Sequence, residues 1–151
     1  MVVLIFMKIL KEIIRVIVRT AIRLYFVVVY RVKVEGTENI PKDKTEPLIY
    51  CGNHRTYADP PLIVVTAKRH VRFLAKEELR KNPLFAFLGM VFDGIYVKRD
   101  SKDVSALKTT LKALKDGESI ALFPEGTRNG MEKGQKPKDG AAFFAVRAGA
   151  K

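Results

Sequence analysis

With 151 residues, 48% of them hydrophobic and 29% charged, the chain has material for one folded domain and is too apolar to be disordered throughout. Its 28 Lys and Arg against 16 Asp and Glu leave a net charge of +12. That points to an anionic partner: a membrane surface, a nucleic acid, an acidic protein or phosphorylated substrates. The single cysteine, Cys51, excludes an internal disulfide and fits a reducing compartment, and the lone Cys51-x-x-His54 pair lacks the second half of a zinc site.

Residues 1 to 30 are apolar with a regular interruption. Lys8, Lys11 or Glu12, Arg15, Arg19 and Arg23 recur every three or four residues, which places them along one helical face. Leu4, Ile5, Ile9, Ile13, Ile14, Val16, Ile17 and Ile22 cover the rest. The longest uncharged stretches, Met1 to Met7 and Leu24 to Tyr30, fall short of the roughly eighteen residues of a spanning helix. A basic stripe beside a wide apolar face predicts a helix lying in a membrane interface. The plainer alternative is a helix packed on the domain with its charges solvated. No small-residue cleavage site follows a compact apolar core, so a signal peptide is not expected. The predicted division is an interface segment over 1–30 and a folded domain over 31–151.

Arg31 to Glu35 alternates and ends at Gly36, so it reads as a strand, followed by a polar loop from Thr37 to Glu46. The apolar run from Leu48, bounded by Pro47, predicts a buried strand that breaks at Gly52-Asn53. Asp59 before Pro60-Pro61 predicts a helix N-cap, with the helix over about Pro61 to Lys68. His70, beside Arg69 and Arg72, reads as a solvated surface histidine. A strand over Val71 to Ala75 leads to a helix beginning at Lys76, which Asn82-Pro83 interrupts, and then to the apolar segment Leu84 to Val91. Gly94 to Arg99 is a further strand. Ser101 to Lys115 is an amphipathic helix on Val104, Leu107, Leu111 and Leu114, closed by Gly117. Ser119 to Phe123 is a buried strand, Gly130 to Pro137 a polar loop, and Gly140 to Ala150 a small-residue helix. This alternation predicts an α/β fold with a mixed, largely parallel sheet flanked by helices.

The chemistry lies at strand ends, where open α/β sheets place ligands. His54 and Asp59 are five positions apart in a strand-to-helix loop and can meet only if that loop folds back. If they meet, the carboxylate fixes the imidazole tautomer and the imidazole takes a proton from a substrate hydroxyl, so no serine or cysteine nucleophile is required. Without that contact the pair is a loop histidine beside a capping aspartate. Pro124-Glu125-Gly126-Thr127-Arg128 is a sharp turn with free N–H groups and a guanidinium, able to cradle a phosphate. Alone, it equally describes an ordinary turn with a surface arginine.

Asn53-His54-x-x-x-x-Asp59, Gly94-Ile95-Tyr96-Val97-Lys98-Arg99 and Phe123-Pro124-Glu125-Gly126-Thr127-Arg128, in this order and spacing, resemble three blocks of the glycerolipid acyltransferases, specifically the bacterial 1-acylglycerol-3-phosphate acyltransferases. The likeness runs from about Val34 to Ala150. It implies that His54 is the general base and Asp59 its orienting partner. It further implies that Arg99, Glu125, Gly126, Thr127 and Arg128, joined by Lys76, bind the glycerol phosphate of lysophosphatidic acid. Acyl-CoA or acyl-acyl carrier protein would be the donor, with no metal or cofactor, and the enzyme would sit on the cytoplasmic face of the membrane. Thr56 stands where many members have serine. The fourth block, a Pro-containing strand after the small-residue helix, is absent, which implies a truncated chain with a bare apolar edge on the Ser119 strand. The alternatives are an inactive membrane-binding fragment, or an acyltransferase for another lysophospholipid. Nucleic acid is not an expected partner, because no interleaved basic and aromatic platform is present.

Overall fold

Four short runs of β-formers pair into one parallel sheet in the computed structural model, which describes residues 2–98 and 103–151. They are β1 (Ile49–Cys51), β2 (Val71–Lys76), β3 (Ile95–Val97) and β4 (Ser119–Leu122), in the order β1-β4-β2-β3. Cys51 lies opposite Leu122, Val71 opposite Ser119, and Leu74 opposite Ile95. Each strand is followed by a crossover, as parallel pairing requires. The helices α4 (Val104–Lys115) and α5 (Gly140–Ala148) cover one face, where Leu114, Ile120, Leu122 and Phe144 form the main core. Ala121 points to the other face with Ala67 and Val71, the alternation expected of a strand. There α2 (Asp59–Thr66) and α3 (Pro83–Val91) supply Val64 and Val91. All four residues of β4 are buried, because the strand has neighbours on both edges and helices on both faces.

Several local expectations change. The helix expected from Lys76 is a short 3₁₀ helix, Glu77–Lys81, because Lys76 itself ends β2, where Val97 lies opposite it. Arg31 to Glu35 is not a strand: alternation supplies a pattern but no ladder partner, and the chain leaves α1 with Arg31 at φ +50°. The helix expected from Ser101 begins at Val104, where Asp103 caps it by accepting from the Ala106 N–H at 3.0 Å. The bare edge expected on the Ser119 strand does not exist, since β4 lies between β1 and β2. The outer edge belongs to β1. There Lys151 N–H donates to the Pro47 carbonyl at 3.2 Å, and its own carbonyl accepts from Ile49 N–H at 2.7 Å. That is the bonding of a parallel ladder, and it follows directly from the turn that Gly149 makes at φ +65° after α5.

The N-terminal segment is one helix, α1 (Val2–Tyr30), and it packs with part of its charge inward. Ile14, Val18 and Ile22 join the cluster of Val64, Val91 and Phe92. Lys11 and Arg15 on the same face both bind the carboxylate of Asp93, and Arg15 Nε donates to the Val91 carbonyl at 2.8 Å. The opposite arc is apolar and open: Phe6, Leu10, Ile13, Ile17 and Leu24 are each at least 44% exposed. No described helix is long and apolar enough to cross a membrane. His70, expected in solvent, is half-buried with Nε2 3.3 Å from Asp93 Oδ2. Its burial, and next the Arg15 charge, lower its pKa, while Asp93 opposes both.

Asp93 is therefore the tie between α1 and the domain. Burial raises its pKa, but the Lys11 bond and the charges of Lys11, Arg15 and His70 outweigh that and hold it below the ordinary carboxylate value. A carboxylate depressed in the folded state stabilises above its unfolded pKa of about 4, and loses that contribution as pH falls through the folded value. Asp93→Asn tolerates the left-handed backbone at φ +54° but removes the charge. It is expected to loosen α1 by about 1–3 kcal/mol, toward the lower end because the pair is partly exposed. Limited proteolysis at neutral pH should release residues 1–30 faster from Asp93→Asn than from wild type, and wild type should match the variant only in acid.

Candidate active site

The loop after β1 folds back on itself, and the residue that folds it is Asp59. Its Oδ2 accepts from the Arg55 N–H at 2.7 Å and the Thr56 N–H at 2.8 Å, and its Oδ1 accepts from Thr56 Oγ1 at 3.0 Å. The same Oδ2 lies 2.9 Å from His54 Nδ1. Asp59 is thus the first residue of α2 and not its cap: Ala58 holds the cap position, and the carboxylate is engaged by the turn around His54. Burial raises the Asp59 pKa, but the bonds from His54, Thr56 and Arg55 together lower it. An ionised carboxylate only accepts, so His54 Nδ1 carries the proton, and the lone pair of the neutral ring is on Nε2. Both side chains are 18% exposed, open enough for a substrate to reach.

A second carboxylate holds the histidine from behind. Glu125 is buried beyond β4, with Oε1 accepting from the His54 N–H at 2.8 Å and Oε2 from the Met131 N–H at 3.1 Å. The backbone bonds from His54 and then Met131 are the main reasons its pKa is lowered, against an opposing burial effect. The Asn129 N–H returns the connection by donating to the His54 carbonyl at 2.6 Å. The His54 ring stacks on Phe123, centroid to centroid 4.3 Å. The loops after β1 and β4 are thereby locked together at the carboxyl end of two adjacent parallel strands.

Arg128 lies across the same loop. Its guanidinium carbon is 3.7 Å from the centre of the Tyr57 ring, which itself stacks on Phe85 at 5.7 Å. That is a cation–π contact, and it leaves the guanidinium with no carboxylate partner among the described residues. Gly126 makes the turn at φ +69°, and a Cβ there would come within 3.2 Å of Lys138 Cε, so the lysine chain lies over the turn. Lys76 ends β2 with an exposed side chain at the same end of the sheet. Thr127 sits in the turn, half-buried. Arg99 lies outside the described residues. No motif in the sequence singles out Tyr57 or Lys138. Tyr57 sits inside the His54–Asp59 interval and was open to reading as an aromatic platform, whereas nothing local marks Lys138.

A family model described as Acyltransferase matches residues 31–151. The chain belongs to the acyltransferase family. A 1-acyl-sn-glycerol-3-phosphate acyltransferase of Borreliella burgdorferi is 33% identical over 121 residues, covering 79% of this chain and 48% of that protein. A lyso-ornithine lipid O-acyltransferase of Rhizobium meliloti is 31% identical over 99 residues, covering 64% of this chain and 32% of that one. The crystal structure of the 1-acyl-sn-glycerophosphate (LPA) acyltransferase PlsC from Thermotoga maritima superposes with a TM-score of 0.68 at 32% identity. It covers 93% of this chain and 57% of that chain. The chain thus spans about half the length, or less, of these curated relatives.

In this acyltransferase domain Glu125→Gln is a sharp test of the lock, because an amide offers one acceptor oxygen where two N–H groups need separate ones. The amides of His54 and Met131 should lose hydrogen-exchange protection in the variant while amides in β2 keep theirs. Both Asp59 and Glu125 have depressed folded-state pKa values. In wild type, the exchange-competent opening of this loop should stay constant from neutrality to about pH 4 and increase below it.

Proposed function

We propose that the chain transfers a fatty acyl group from a thioester, acyl-CoA or acyl-acyl carrier protein, to the free hydroxyl of 1-acylglycerol 3-phosphate, giving phosphatidic acid at a membrane surface. The observation that carries this reading is the His54 Nδ1 to Asp59 Oδ2 contact of 2.9 Å, in a loop with no nucleophile poised between them. His54 Nε2 takes the proton of the acceptor hydroxyl as its oxygen attacks the thioester carbonyl. The tetrahedral oxyanion collapses, the carbon–sulfur bond breaks, and the leaving thiolate takes the proton from the imidazolium. Asp59 keeps the ring in the productive tautomer and stabilises its cationic form. Arg128, with Gly126, Thr127, Arg99 and Lys76, receives the acceptor phosphate. Glu125 acts through the His54 backbone, since a carboxylate would repel that phosphate. The open apolar arc of α1 rests in the lipid interface, on the cytoplasmic face.

A second reading, an acceptor without a glycerol phosphate, draws on the likeness to the lyso-ornithine lipid O-acyltransferase of Rhizobium meliloti. Arg128, without a carboxylate partner among the described residues, fits an anionic group in either acceptor, phosphate or carboxylate. Turnover on lysophosphatidic acid and on lyso-ornithine lipid, measured side by side, separates the two.

His54→Ala should lower kcat by about 10²- to 10⁴-fold, the usual share of a general base, and Asp59→Asn should leave a residual rate. A wild-type rate in His54→Ala would refute the mechanism.

Arg128→Lys should raise KM for the acceptor far more than for the donor, because an ammonium cannot reproduce the two-toothed contact with phosphate. Tyr57→Leu should raise acceptor KM in the same direction, and Tyr57→Phe should restore it, because the ring face alone holds the guanidinium. Equal changes in acceptor and donor KM would make Arg128 and Tyr57 merely structural.

A further inference from the structure

At the end of the sheet opposite His54, the starts of β2 and β4, the end of α2 and one flank of α1 enclose a cavity of about 440 Å³. Two carboxylates line it, and both are already paired: Glu12 with Arg15, and Glu118 with Arg72 at 3.1 Å. The Arg69 guanidinium is occupied as well, donating to the carbonyls of Glu46, Pro41 and Asp43 at 2.5–2.9 Å. Three cations in the lining remain without a carboxylate partner among the described residues: Arg19, Lys44 and Lys68. Lys68 Nζ donates only to Thr37 Oγ1, at 3.0 Å. Arg19 is half-buried, and burial first and then the Arg23 charge lower its pKa. His70 also lines the cavity, with Nε2 facing Asp93 Oδ2 at 3.3 Å but not in hydrogen-bond geometry.

The cavity opens beside an apolar surface. Val16 belongs to its lining and is 62% exposed, and Ile13 and Ile9, three and seven residues earlier, continue that surface along the outer side of α1. Converging Lys and Arg suit the several oxygens of a phosphate, and a neighbouring apolar strip suits an acyl chain. A free phosphate ester would use only the first of these features.

We propose that this cavity binds the phosphate of an anionic phospholipid whose acyl chains lie along Val16, Ile13 and Ile9, at a site separate from the acyl-transfer centre. The inference rests on the reading of α1 as lipid-facing. It gives the helix an electrostatic anchor on the flank adjoining its apolar arc, distinct from the inward ties of Lys11 and Arg15 to Asp93.

The chain has only two histidines, His54 and His70, and they lie at opposite ends of the sheet, so their imidazole NMR signals report the two sites separately. The 151-residue protein is titrated with short-chain phosphatidylglycerol below its micellar concentration, and in parallel with glycerol 3-phosphate. His70 should shift saturably with the lipid and stay in place at the same concentrations of glycerol 3-phosphate. Arg19→Gln with Lys44→Gln should weaken the lipid response about tenfold or more, the effect expected for losing charge-assisted contacts. Lys108→Gln with Lys115→Gln, on α4 across the sheet, removes the same charge and should bind as wild type. A His70 response that is absent, undiminished in the Arg19 and Lys44 variant, or equally lost in the α4 variant overturns the site. An equal response to glycerol 3-phosphate overturns the lipid as its ligand. Flotation with phosphatidylcholine vesicles tests the underlying reading by itself. A protein that floats but shows no His70 response loses only the site, and one that does not float loses the membrane role of α1.

Discussion

The parallel pairing of β1 with β4 is the constraint on which the site depends. Cys51 lies opposite Leu122, so the two chains leave the sheet side by side and in the same direction. That brings the Glu125 carboxylate to the His54 N–H across 71 residues of sequence. A buried carboxylate that lost either N–H would face the cost of an unsatisfied charged group, so the lock is held by the penalty for breaking it as much as by its own strength. The backbone of His54 is held from one side by Glu125, and its ring from another by Asp59 and Phe123.

Asp59 shows how one short side chain both folds a loop and orients a neighbouring ring. The two backbone N–H groups it accepts from fold the loop, and the folded loop is what places Nδ1 within bonding distance. The arrangement explains why helix capping falls away from Asp59 even though its position before two prolines suggests a cap. Three of its donors, the His54 ring and the Arg55 and Thr56 N–H groups, converge on Oδ2, and the Thr56 hydroxyl binds Oδ1.

The N-terminal helix solves a different problem. Its charges run along one side, and Ile14, Val18 and Ile22 beside them pack on the domain while a wider apolar arc stays outside. Lys11 and Arg15 hold that side inward, because Asp93 offers them a single partly buried anion and the Val91 carbonyl adds a directional bond. The consequence is an outer arc without a charge from Phe6 through Ile17. A large exposed apolar surface of this kind marks an interaction face.

The fold class and the positions of all four strands were legible in the sequence, because period, breakers and spacing are local properties of the chain. The His54 and Asp59 pair was legible as a possibility, conditional on a loop that turns back. Tertiary structure decided the rest. Strand order is a long-range property, so only the fold could place β4 in the middle of the sheet, and only that placement let Glu125 face His54. The inward turn of Lys11 and Arg15 and the half-buried place of His70 depend on Asp93, a residue with no local signal, which becomes important only because α3 ends beside α1 and β2. The Tyr57 platform for Arg128 likewise joins two loops that are neighbours in space and distant in sequence. Periodicity determines what each segment is. Which segments meet, and therefore which charges find partners, is set by packing the apolar faces together, and no segment carries that information alone.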